Sequence, residues 1–130
     1  MLRLALPRLD GWNEDRRALA DAYSAAGLAQ LVELPRHPTG AEPAPHMYVV
    51  RSERRDGLIE ALGAADVQSR ALYEVPIHLQ PAMAPYANGL ELPGTDLASR
   101  TNLALPMGPR YGLQTAEIVA EALRQAVNCA

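Results

Sequence analysis

The sequence contains no lysine: all twelve of its basic residues are arginines. Chemistry that starts from a lysine Schiff base is therefore excluded for this chain alone. Phenylalanine is missing too, which excludes no fold and leaves the core to Leu, Val, Ile, Ala and a few of the five tyrosines. Cys129 is the only cysteine, so an internal disulfide cannot form and a zinc site built on thiolates is ruled out. A reducing, cytoplasmic setting is expected. No apolar run approaches the ~20 residues a membrane-spanning helix needs. Arg3, Pro7, Arg8 and Asp10 interrupt the N-terminal leucines before the core of a signal peptide could form. The phosphate loops GxGxxG and GxxxxGK[ST] are absent, as are HExxH and CxxC, and no serine sits in a nucleophile-elbow context. A net charge of −3 without a basic cluster gives no electrostatic reason to expect nucleic acid or an anionic membrane as partner.

Apolar residues make up 48% of the 130 and charged residues 21%, an ordinary globular balance. A chain of this length is expected to form one domain, 1–130, and to bury roughly two-thirds of its unfolded surface. Positions Leu9, Trp12, Leu19, Tyr23 and Ala26 recur at helical spacing, with Arg16 the one charged member, and predict a helix over 8–27 that ends at Gly27. The loop RHPTGAEPAP at 36–45 follows, then HMYVVRS at 46–52, whose β-branched and aromatic residues predict a strand. A helix is expected over 54–62, and the alternation Val67, Ser69, Ala71, Tyr73 predicts a second strand over 66–73. A turn-rich linker spans 88–94, and Thr95 can cap a short helix through Arg100. A third strand, TNLALPM at 101–107, leads to a final helix over 114–127 that buries Val119, Ala122, Leu123 and Ala126. The order predicts an α+β fold with about three strands in a largely antiparallel sheet flanked by helices.

The stretch LYEVPIHLQPAMAPY, 72–86, carries most of the chemistry in the chain. Pro76, Pro81 and Pro85 lack an N–H and fix φ, so this segment can be neither a helix nor an inner strand, and its side chains are held in place. Tyr73 and His78 thus put a phenol and an imidazole on a rigid loop, suited to hydrogen bonding a polar ligand. Both also have a plain structural reading as loop residues. His37, His46 and His78 fall in separate segments, and the spacing usual for zinc does not bring them together.

The signature Tyr73-x-x-Pro76-x-His78-x-Gln80-Pro81, the entry His46-Met47-Tyr48 and the run Leu103-x-Leu105-Pro106-Met107 resemble the C-terminal small domain of the DegT/DnrJ/EryC1/StrS sugar aminotransferases. The opening LPRLDGWNEDRRALADAY resembles the long helix that leads into that domain. The resemblance implies the small domain of a fold-type I, pyridoxal-phosphate-dependent aminotransferase, with 1–27 as connecting helix and 46–127 as sheet and helices. It implies a dimeric enzyme that moves an amino group onto a keto-sugar nucleotide. The family's Schiff-base lysine, the aspartate on the pyridinium nitrogen and most phosphate contacts belong to a larger domain with no counterpart here. No residue of this chain is thus expected to be catalytic or to bind the cofactor covalently. By resemblance, Tyr73, His78 and Gln80 bind substrate at the rim of the active-site cleft. The chain departs from the common pattern at Leu72, where a histidine often precedes the tyrosine, and at Ala65-Asp66-Val67, where Gly-Ile is usual.

Three readings stay open at this point. The chain is a piece of a full aminotransferase, or a stand-alone partner or binding module derived from that family. The third reading is a lysine-independent enzyme that uses His78 with Tyr73 or a carboxylate as acid and base. If the first helix normally packs on a larger domain, Trp12, Leu19 or Tyr23 would be left partly uncovered, and a dimer or larger oligomer is expected.

Overall fold

A computed structural model describes residues 2–87 and 89–128. Cys129 and Asn88, where the turn-rich linker is expected to start, lie outside the described residues. The chain opens with a short helix α1 (Leu2–Ala5), a 3-10 turn holding Pro7 (Leu6–Arg8) and the long helix α2 (Leu9–Ala25). Strand β1 (Tyr48–Arg51), helix α3 (Arg55–Ala64), helix α4 (Pro93–Thr101), strand β2 (Asn102–Leu105) and helix α5 (Gln114–Asn128) follow. Each has the type its hydrophobic period predicts.

β1 and β2 pair antiparallel, with Tyr48 opposite Leu105, Val49 opposite Ala104, Val50 opposite Leu103 and Arg51 opposite Asn102. Because side chains alternate between faces, this register puts Tyr48, Val50, Leu103 and Leu105 on one face. These four join a buried core with Leu19 and Tyr23 of α2, Leu58 and Leu62 of α3, and Val119 and Leu123 of α5. The opposite face of the same two strands carries Val49 and Asn102, and there a groove lies.

The sheet has two strands, so the expected third strand over 66–73 needs correction. That segment makes a single antiparallel bridge, Arg70 to Ala104, and a second isolated bridge joins Glu33 to Arg51. Two residues with positive φ bound the failed strand, Asp66 at 57° and Tyr73 at 50°, and neither fits an extended chain. Between them, the backbone of Leu72 is taken over by the side chain of Asn102, which halts the ladder.

The stripe of α2 is likewise split. Leu19 and Tyr23 are fully buried in the core, Tyr23 stacked on Tyr48 of β1, not left uncovered as expected, while Trp12 is half-buried and Leu4, Leu6 and Leu9 are exposed. Thr95 does not cap α4: the helix starts two residues earlier at Pro93, whose missing N–H suits the first helical position, and no side chain caps it.

Candidate functional site: a groove between the proline-rich loop and helix α4

After Arg70, which bridges to Ala104 of β2, the chain turns sharply. The Leu72 N–H donates to Asn102 Oδ1 at 2.6 Å, and Asn102 Nδ2 donates back to the Leu72 carbonyl at 2.8 Å. The same Nδ2 donates to the Ala98 carbonyl in α4 at 2.6 Å. Only one orientation of the amide meets all three partners; the flipped form would set an NH₂ against an N–H and an oxygen against two carbonyls. Tyr73 then takes its left-handed turn, and Pro76, buried, restricts Val75 to extended geometry before the next turn.

The prolines give two consecutive 3-10 turns, Ile77–Leu79 and Pro81–Met83, joined by an extended Gln80. Their bonds are local, Leu79 N–H to Pro76 O at 2.9 Å and Met83 N–H to Gln80 O at 2.9 Å. The loop therefore holds its own shape with little help from the sheet. It leaves Tyr73 and Tyr86 largely exposed, while the His78 side chain is only 8% exposed.

Loop, α4 and the outer face of β1 enclose a groove of about 760 Å³ whose walls include Tyr73, His78, Tyr86, Leu90, Val49 and Asn102. Most of this wall is apolar. Of the three residues expected to meet a ligand, Tyr73 and His78 are brought together on the groove, whereas Gln80 is exposed and outside its wall. His78 Nε2 stands 3.6 Å from Asp96 Oδ1 in the first turn of α4, too long for a hydrogen bond. That Oδ1 is buried and accepts no hydrogen bond among the described residues, so it is an acceptor waiting for a donor. An N–H at His78 Nε2 would meet the need, Asp96 itself being off the groove wall.

Among the described residues no arginine lines the groove, and the chain has no lysine. The residues present thus do not fit a covalently held pyridoxal phosphate: they supply neither the amine for its aldehyde nor a cation for its phosphate. A neutral ring with hydroxyls fits better, its apolar face against Leu90 and Val49 and its hydroxyls toward Tyr73 and His78.

Other polar groups lie elsewhere. His46 borders a separate cleft of about 710 Å³ with Met47, Asp66, Arg70 and Tyr111, and His37 borders a smaller one beside Arg17 and Tyr48. Among the described residues, no group of three or more His, Cys, Asp or Glu side chains could hold a metal ion, and no helix is long and apolar enough to cross a membrane. Asn102 and Asp96 are absent from the sequence-based candidates. One signal was available for Asn102, since asparagine is depleted in strands and TNLALPM places it inside one.

This arrangement of strands, helices and loop recurs in enzymes that transfer amino groups. The crystal structure of DesV from Streptomyces venezuelae superposes with a TM-score of 0.88 at 38% identity, covering 95% of this chain and 34% of that one. NtdA from Bacillus subtilis, solved with bound cofactor PMP, matches with a TM-score of 0.76 at 25% identity over 90% of this chain and 28% of its own. The chain belongs to the DegT/DnrJ/EryC1/StrS aminotransferase family, whose profile matches residues 1–124. Among curated relatives, the dTDP-3-amino-3,4,6-trideoxy-alpha-D-glucose transaminase of Streptomyces venezuelae is 40% identical over 129 residues, 96% of this chain and 34% of the relative. The chain spans about a third of the length of the curated relatives it matches.

Proposed function

We propose that the chain is the small-domain part of a pyridoxal-phosphate-dependent sugar aminotransferase acting on a nucleotide-linked keto sugar in the cytoplasm. In this reading residues 1–130 act as one domain. The helical segment within 1–27 is the connection to the rest of the enzyme, and 46–127 is the unit that closes the active-site cleft. Tyr73 and His78 line the substrate rim and position sugar hydroxyls by hydrogen bonding. Gln80, outside the groove, would reach substrate only from the loop's outer surface. The cofactor, which supplies the electron sink for amino transfer, is held by lysine-bearing chain outside these residues. Alone, the chain is inactive.

The observation that carries the reading is the groove itself. It is largely apolar, free of cations among the described residues, and edged by two phenols, Tyr73 and Tyr86, and one imidazole, a wall suited to a deoxygenated sugar ring and not to a diphosphate. The phosphates of such a substrate would find their cations elsewhere in the enzyme.

A chimera tests it. The matching third of the Streptomyces venezuelae transaminase is exchanged for residues 1–130, and amino transfer to a dTDP-linked keto sugar is followed by product formation. The chimera is expected to turn over, and His78→Ala within it to raise KM or lower kcat by roughly tenfold, the worth of one lost hydrogen bond to substrate. A folded, cofactor-loaded chimera with no turnover, or one indifferent to His78→Ala and Tyr73→Phe together, would overturn the reading.

A further inference from the structure

One of the two exposed tyrosines on the groove wall, Tyr73, stands on strained backbone, and the strain points to what holds it. Tyr73 sits at φ 50°, a conformation that costs a non-glycine residue on the order of 1 kcal/mol and persists only where its neighbours over-determine it. On its C-terminal side, Pro76 restricts Val75. On its N-terminal side the Arg70–Ala104 bridge holds the chain three residues back, and the Asn102 amide grips the adjoining residue, bonded to both the N–H and the carbonyl of Leu72. This side chain acts as a stand-in peptide group, giving Leu72 the donor and acceptor that a third strand would have offered. Its bonds to the Ala98 carbonyl and, at 3.5 Å, to the Ser99 carbonyl tie the grip to α4, the helix that carries Asp96 beside His78. Asn102 is 9% exposed and lines the groove from its floor, opposite Arg51 in the sheet.

We propose that Asn102 is a positioning residue of the site: by clamping Leu72 to α4 it sets the left-handed turn of Tyr73 and keeps the phenol on the groove wall in register with His78. With its Nδ2 engaged by the Leu72 and Ala98 carbonyls, Asn102 acts on the ligand through Tyr73. The inference rests on the reading of the groove as a sugar-nucleotide rim, but its first test does not depend on that reading.

In the wild-type chain, NMR is expected to show slowed exchange of the Asn102 side-chain amide protons and the strong intraresidue amide–Hα NOE that a positive φ at Tyr73 produces. Rapid exchange of those protons, or an extended Tyr73, overturns the proposal whatever the site binds. In Asn102→Asp, which keeps the acceptor but turns a carboxylate toward two carbonyls, the Tyr73 NOE is expected to weaken while those of β1 and α5 persist. The second readout is titration with dTDP-glucose. Asn102→Asp is expected to weaken binding roughly tenfold in the wild-type background, and by less than about twofold when Tyr73 is already alanine, since a residue acting through Tyr73 has nothing left to position. Equal losses in both backgrounds would assign Asn102 a purely structural role and overturn the proposal. If the wild-type chain shows no binding of dTDP-glucose, the sugar-nucleotide reading fails at this chain, and the wild-type NOE and exchange data still decide the role of Asn102. They also decide it if neither variant folds.

Discussion

Tyr23 joins the two halves of the core through one hydroxyl. Its ring is fully buried and stacks on Tyr48 with centroids 4.9 Å apart, and its O–H donates to the Pro106 carbonyl at 2.7 Å, just beyond the end of β2. Tyr23→Phe removes the donor but leaves the carbonyl buried, so a loss of about 1–3 kcal/mol in unfolding free energy is expected at pH 7. The loss should depend on pH. Burial, reinforced by the neighbouring Tyr48 and Tyr111 phenols, pushes the Tyr23 hydroxyl well above its ordinary range. Since the folded-state value is the higher one, the stabilisation is complete below about pH 10 and falls as pH rises past the value of an unfolded tyrosine. Tyr48 is also raised, chiefly by burial, but it is present in both proteins and cancels in the comparison. Urea unfolding of wild type and Tyr23→Phe at pH 7 and pH 11 should show a gap that narrows at the higher pH. A gap that stays constant would mean that the phenol ionises as easily folded as unfolded, and one that widens that it ionises more easily folded.

At the scale of elements, helix ends are tied by arginines from their neighbours. Arg124 of α5 donates to the Ala26 carbonyl at the end of α2 at 2.7 Å, and Arg54 donates to Ala126 near the end of α5 at 2.8 Å. Arg55 reaches the Ser99 carbonyl near the end of α4 at 2.6 Å. Each guanidinium meets carbonyls that a helix leaves without an internal partner, and its charge suits the negative end of the helix dipole. Arg124→Met keeps the apolar stem and deletes the bond, so a destabilisation of about 1 kcal/mol is expected, with Arg124→Lys recovering part of it. Denaturant midpoints equal for Arg124→Met and wild type would show that water serves the Ala26 carbonyl as well. These ties join segments up to 98 positions apart, and so they mark what could be read in the sequence and what could not. The elements α2, β1, α3, β2 and α5 were legible because period and local chemistry agree along each. The 66–73 strand misled because its alternation was sound while its partner was not. Asn102, 30 positions later, takes the bonds of Leu72 with a side chain, and no local pattern records that. Tyr73 and His78 could be singled out as candidates from the prolines around them, while Asn102 on the groove wall and Asp96 beside His78 come near them only through folding.

On the scale of the whole molecule, the surface carries more apolar side chain than the core arrangement requires. The proline-rich loop exposes Val75, Ile77 and Leu79 at 55–60% of their surface, with Tyr86 and Leu90 nearby, and the first turns expose Leu4 and Leu6. In the proposed function, this loop meets the remaining two-thirds of the enzyme, and the rigidity of its two 3-10 turns keeps it from folding inward when that cover is missing. Exposed apolar groups clustered within a few residues favour association. The isolated chain is therefore expected to self-associate as its concentration rises, with sedimentation velocity giving an s-value that climbs from monomer toward dimer or beyond. The triple variant Val75→Ser, Ile77→Ser and Leu79→Ser should hold the monomer value across the same range with its circular dichroism unchanged, because none of the three belongs to the buried core. A triple variant that associates as strongly as wild type would move the sticky surface to Leu4 and Leu6, and the paired substitution of those two would then remove it. A wild-type chain that stays strictly monomeric at high concentration would mean that the loop's apolar side chains are separate enough for water to tolerate, and that contact with the rest of the enzyme rests on the polar rim.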